Sequence, residues 1–285
     1  MGCALFYFIS GYLCQQGRKD RFDLWMKRKL SRLWPICMVT AFIGGFFGHG
    51  CSVAFALSGS GWFVTLLLVY YVLYYVVVRI FPRHLGVISI ASLVLTFLAY
   101  ALGFWSQDVS CGAWLFGVTN LKYIYFFAFF MLGAWVSQRK DSPDTVRWGS
   151  VALLFISLAS FYLLYFLAGR VSLVCKYQVV MLLPLMSTIY YLHRVCSSKR
   201  FYRLMENKYV STIVLFVGGL SLEMYLIGWR AKMFMFTEYF PLCYICGFVV
   251  SLALLYLARC VARFVGQTFC EGAYDYIAIF RPFKF

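Results

Sequence analysis

The chain has 285 residues, of which 63% are hydrophobic, 21% aromatic and only 13% charged, and its mean hydropathy is +0.80. A soluble domain carries about twice that charge and has too little interior to hide so much apolar surface, which excludes an ordinary cytosolic enzyme, a disordered chain and a disulfide scaffold. The net charge of +16 comes from 26 Lys and Arg against 10 Asp and Glu, and the positives lie in short runs between apolar stretches, which points to membrane-protein loops and away from nucleic acid.

Nine apolar stretches follow one another along the chain, at 2–16, 33–50, 62–78, 85–105, 121–137, 149–168, 171–192, 209–228 and 240–258. All but the first reach the 17–25 residues that a helix needs to cross a bilayer. None shows the two-residue alternation of a barrel strand. No soluble domain fits between them, and no internal repeat is visible. The expected fold class is all-α, a polytopic transmembrane helix bundle, forming a single membrane-embedded domain over residues 1–285.

Lys and Arg orient the bundle. One set of alternate loops, including the segment after 258, holds 21 of the 26, and the other set holds Lys122, Arg170, Arg230 and Lys232. Lys176 falls inside a span. Positive loops stay in the cytoplasm, so the C-terminus is expected there. Nine spans then leave Met1 outside, with no basic segment or cleavage site of a signal peptide before it. One preceding helix would repair the count, giving ten in a full-length form.

The eleven cysteines are scattered. Cys243 and Cys246 form a CxxC inside an apolar span without a partner pair, so no metal site is expected. Cys51 and Cys111 fall on predicted outer loops, where free thiols are the simpler reading and a disulfide the alternative.

Four segments carry a resemblance. The first span reads Phe6, Tyr7, Phe8, Ile9, Ser10, Gly11, Tyr12. A basic stretch follows, Lys27, Arg28, Lys29, Leu30, Ser31, Arg32, ending at Pro35. Gly61, Trp62, Phe63 and Val64 open the third span, and Ser221, Glu223, Tyr225, Leu226 and Gly228 lie in the eighth. In this order they resemble the acyltransferase-3 family of integral membrane O-acyltransferases. Lys29 and Arg32 take the positions of the family's RxxR pair, with Lys for the first Arg. Gly228 stands where the family usually has His. The family's essential His, on a helix before the Ser-Gly helix, has no counterpart here; the resemblance implies that it would be the general base, taking the proton from the acceptor hydroxyl.

The resemblance implies transfer of an acyl group, acetyl in the first instance, from cytoplasmic acyl-CoA to a hydroxyl of a cell-surface glycan or lipid-linked sugar. Such an enzyme transfers groups other than aminoacyl groups and would sit in a bacterial cytoplasmic membrane. Its partners would be membrane lipids and the glycan acceptor, and it needs no metal. Lys29 and Arg32, with Arg28 beside them, would hold the donor's phosphates, Arg as a bidentate fork and Lys as a point charge.

The residues themselves support part of this. Wound as a helix, 21–34 places Phe22, Trp25, Met26, Leu30 and Leu33 on one face. Lys29 falls inside that face, Arg32 at its edge, and Lys27, Arg28 and Ser31 point away. Charges on a purely interfacial helix would stay on the polar face, so Lys29 and Arg32 are expected to meet protein or a bound anion. Snorkelling to lipid phosphates is the alternative.

Glu223 and Lys176 are ionisable groups inside spans, which cost at least about 2.5–3.5 kcal/mol to insert and so face a cavity or partner. Both fall five residues from the predicted outer helix end, roughly 8 Å deep, and are expected to line one outward-facing cavity. The catalytic candidates are Glu223, Lys176 and His49, the last at an outer helix end. His84 and His193 read as interface residues, and Ser10 and Gly11 as a close helix–helix contact. A competing reading makes the chain a transporter of a small solute or lipid-linked substrate, with Lys176 and Glu223 as coupling groups. A third makes it an inactive relic of a truncated gene.

Overall fold

The computed structural model describes residues 1–15, 21–46, 62–103, 120–139, 148–231, 242–268 and 274–280. Among these residues the regular structure is helical, with no strand. The helices are α1 (Gly2–Cys14), α2 (Phe22–Phe46), α3 (Trp62–Ile80), α4 (Leu85–Gly103), α5 (Lys122–Arg139), α6 (Trp148–Ala168) and α7 (Ser172–Lys176). After a 3₁₀ turn (Gln178–Met181) come α8 (Leu182–Cys196), α9 (Lys199–Glu206), α10 (Lys208–Gly219), α11 (Ser221–Ala231), α12 (Leu242–Thr268) and α13 (Tyr276–Phe280).

Among the described residues, five helical segments are long and apolar enough to cross a membrane: Trp62–Ile80, Leu85–Gly103, Trp148–Ala168, Gln178–Cys196 and Ile245–Thr268. Nine were expected, and each difference has a physical reason. α1 is only 13 residues long. α2 fuses the basic stretch and the second span into one 25-residue helix that runs straight through Pro35. α5 is apolar, but Tyr, Trp and terminal charges dilute its hydropathy. The seventh and eighth spans are both interrupted.

The seventh stops at Tyr177 (φ −103°, ψ 16°). There Gln178, buried inside an apolar run, donates its side-chain N–H to the Cys175 carbonyl at 3.0 Å. The eighth breaks after Gly218 and Gly219, the two residues with the lowest helix propensity available short of proline, and Leu220 leaves the helical range (φ −87°, ψ 3°). α10 itself is started by Asn207, whose side chain accepts the amides of Tyr209 and Val210.

The chain divides into two compact units. The first comprises residues 1–19 and 67–205. Its centre is α5, whose Phe126, Ala128, Phe129, Phe130 and Met131 are all buried. α1 crosses α5 backbone to backbone: a methyl group on Gly11 would collide with the Phe130 carbonyl, and one on Gly133 with the Phe8 carbonyl. Tyr7 packs against Tyr70 and Phe126, and the Tyr70 hydroxyl donates to the Tyr123 carbonyl at 2.9 Å. Much of the chain's aromatic content thus fills one core. α4 joins α5 through Ser89, whose hydroxyl donates to the Ala128 carbonyl at 2.8 Å. α6 packs on α8.

The second unit comprises residues 20–66 and 206–285. α2 and α12 pack side by side, close enough that a methyl on Gly266 would lie 3.2 Å from Pro35 Cγ. α11 rests on both. Side chains such as Phe42, Ile213, Ile245 and Val249 stay exposed, as lipid-facing residues do where no hydrophobic drive favours burial.

Candidate functional site

Within the second unit α2, α11, α12 and α13 enclose a cavity of about 810 Å³, within the size range of ligand pockets. Ser31, Pro35 and Ile36 of α2 form one wall. Pro35 lacks the N–H that would bond the Ser31 carbonyl, so the wall includes one place where the helical ladder is open. Arg259, Ala262, Arg263 and Gly266 of α12 form another wall, spaced so that all four share a helix face.

Glu223 lies in the first turn of α11, just past the break. It is 7% exposed and lines the cavity. Its Oε1 lies 4.0 Å from Arg259 Nε. The Arg259 Nη1 donates to the Gly219 carbonyl. One guanidinium thus offsets the carboxylate and serves a carbonyl at the helix break. Among the described residues no hydrogen-bond donor reaches Glu223 Oε2. Arg263 donates to the carbonyls of Ala278 and Ile279 at 3.2 and 3.3 Å, tying α13 down. Gln267 and Asp275 exchange two further hydrogen bonds at 3.2 and 3.1 Å. Asp275 caps α13 through the Ala278 amide at 2.9 Å.

The basic stretch is helical, with Phe22, expected on the inward face, left exposed. Trp25 and Leu33 are buried, Lys29 is half-buried, and Lys27, Arg28 and Ser31 are exposed. The Lys29 Nζ sits 5.7 Å from the Trp25 ring centroid, a cation–π contact. Arg28 Nε reaches the Leu24 carbonyl at 3.4 Å, and the Ser31 hydroxyl donates to the Arg28 carbonyl at 3.1 Å. Arg32 lies in α2 one turn before Ile36.

Glu223 has its ion-pair partner inside its own unit. Its cationic neighbour is Arg259, whereas Lys176 belongs to the other unit, is exposed and ends α7, with its carbonyl accepting the Tyr100 hydroxyl at 2.7 Å. Arg259 lies nine residues, roughly 14 Å, before the end of α12 at Thr268 and roughly 26 Å after its start. Glu223 therefore lies level with the C-terminal half of α12. His49, Cys51 and Cys111 lie outside the described residues. His193 packs against Phe8 and Tyr12 of α1.

Arg259 and Arg263 read in the sequence as loop charges, yet both are inside a 27-residue helix. The signal was their four-residue spacing together with Ala262 and Gly266, which continues the apolar helical pattern past 258. Two of the resembling segments also meet: the rings of Phe63 and Tyr225 lie 4.2 Å apart.

No curated protein and no solved structure matches the chain. A family model does, described as an acyltransferase domain and matching residues 1–260. With apolar helices of membrane-crossing length and a match over most of its length, this integral membrane protein belongs to the acyltransferase-3 family.

Proposed function

We propose that the protein moves an acyl group, acetyl in the first instance, from cytoplasmic acyl-CoA to a hydroxyl of a cell-surface glycan or lipid-linked sugar in a bacterial cytoplasmic membrane. The observation that carries this reading is the continuity of α2. The helix that bears Arg28, Lys29 and Arg32 also contributes Ser31, Pro35 and Ile36 to the cavity wall. Donor phosphates held at the basic turn would place the acyl end of the same molecule toward the cavity. Holding the donor in one geometry removes the entropy of a bimolecular encounter, the largest contribution that positioning alone makes.

Deleting the gene should abolish O-acetylation of the host's surface glycan, read by mass spectrometry of the released polymer. Restoring the intact gene should bring it back. Unchanged acetylation in the deletion strain would contradict the proposal.

A second reading, transport of a small solute or lipid-linked substrate, is favoured by the two interrupted helices at Tyr177 and Leu220, since broken helices line substrate sites in transporters. Vesicles that accumulate a lipid-linked sugar without consuming acyl-CoA would support it. Label transfer from acyl-CoA favours the enzyme.

A further inference from the structure

We infer that α9 is a docking surface for anionic phospholipid headgroups, whose phosphates are held by Arg194, Arg200 and Arg203. Only Ser197 and Ser198 separate α9 from the apolar span Gln178–Cys196, so the helix lies within about a turn of where that span leaves the bilayer. Ser198 fixes its start. The Phe201 amide donates to the Ser198 hydroxyl at 3.2 Å, an N-cap, and that hydroxyl donates to the Val195 carbonyl at 2.7 Å. Arg200 Cζ lies 5.6 Å from the ring centroid of Trp148, the first residue of another apolar span. The end of one span and the start of another thus meet at α9. Trp148 is 78% exposed and stands where tryptophan collects at a membrane–water interface.

The helix has two faces. Lys199, Arg200, Arg203 and Glu206 gather on one side, and Phe201, Tyr202, Leu204 and Met205 on the other. Phe201 and Met205 are half-buried, whereas Tyr202 and Leu204 at the flanks of the apolar face are 64% and 60% exposed. A basic face opposite an apolar one is the pattern of a helix lying in the headgroup plane. Charge then selects the headgroup. Arg194, in the last turn of α8, and Lys199, Arg200 and Arg203 are all exposed, and the sequence holds no Asp or Glu between Asp144 and Glu206. A zwitterionic headgroup offsets its phosphate with an ammonium that such a surface repels. A net negative headgroup gains about fivefold in binding for each nearby Lys or Arg, and arginine grips its phosphate with two N–H groups at once. An acidic soluble partner would meet the same charges, but the headgroup layer already occupies the level at which the two spans end.

The test reconstitutes the full chain into phosphatidylcholine vesicles. These carry a trace of either phosphatidylglycerol or phosphatidylcholine, each with the same photoreactive group on its acyl chain close to the glycerol. After irradiation, mass spectrometry locates the labelled peptides. Phosphatidylglycerol should label 194–205 at least about fivefold more than phosphatidylcholine does. At about 1 M salt, where screening leaves a reach of only about 3 Å, the two should come within about twofold. Arg194→Gln, Arg200→Gln and Arg203→Gln together should abolish the preference and keep the phosphatidylcholine labelling, whereas Arg→Lys at the same three positions should preserve the preference. Should the Gln variant fold poorly, the salt dependence of the wild type decides. Equal labelling by the two lipids in the wild type, or an undiminished preference in the folded Gln variant, would overturn the inference. So would a segment that takes no lipid label and is cross-linked instead to a second copy of the chain or to a soluble protein. Each of these results leaves the acyltransferase reading standing.

Discussion

Gly11 and Gly133 show how much one hydrogen atom decides in this chain. Each lies where α1 and α5 touch backbone to backbone, and a methyl on either would strike a facing carbonyl. Gly11→Ala and Gly133→Ala should each destabilise the detergent-solubilised protein by about 1–3 kcal/mol, the usual cost of overpacking. Gly149→Ala, where nothing lies within 4 Å, should leave the melting temperature unchanged. Arg259 is the second residue of this kind. Arg259→Leu strands the Glu223 carboxylate and should cost about 3–5 kcal/mol, whereas adding Glu223→Leu should recover a large part of that loss. A thermal-melt double-mutant cycle measures both. If the two losses simply add, the 4.0 Å pair contributes no coupling.

At the scale of elements, the spans without a polar interruption were the most legible. α3, α4 and α6 sit close to where apolar length alone puts them. α2 was legible in its faces but not its extent: the alternation of Trp25, Lys29 and Leu33 gives the helix, yet Pro35 reads as a start and the structure runs through it. The breaks were hidden for a related reason. Gly218 and Gly219 are tolerated in membrane helices, so their presence does not announce an interruption. What settles it is Arg259, 40 residues away in sequence, which takes the Gly219 carbonyl. Glu223 was identifiable as unusual, but its partner was not, because a charge count treats Arg259 as a topology marker. The C-terminal turn offers a direct check. Arg263→Ala removes the donor to the Ala278 and Ile279 carbonyls and should speed limited proteolysis within 274–280 several-fold in detergent. Unchanged cleavage would mean that Gln267, Asp275 and the Phe264–Tyr274 ring stack hold α13 without it.

Across the whole molecule, the positive charge that first suggested a basic protein is distributed by segment and by role. Twenty-one of 26 cations fall in the stretches that the sequence reads as one set of alternate loops. Some of these do more than set topology: Lys29 packs on Trp25, Arg259 meets Glu223, and Arg263 ties down α13. A reporter fused after Phe285 should be active only as a cytoplasmic fusion; a periplasmic signal would invert the assignment. The central claim is that acyl-CoA is the donor and that the basic turn of α2 holds it. The most direct measurement is steady-state transfer from labelled acetyl-CoA in host membranes, comparing wild type with Lys29→Gln and Arg32→Gln. Each lost charge-assisted phosphate contact, at about 1.5–3 kcal/mol, should raise KM for acetyl-CoA roughly ten- to a hundred-fold with kcat little changed. Variants that transfer label with the wild-type KM would contradict the account.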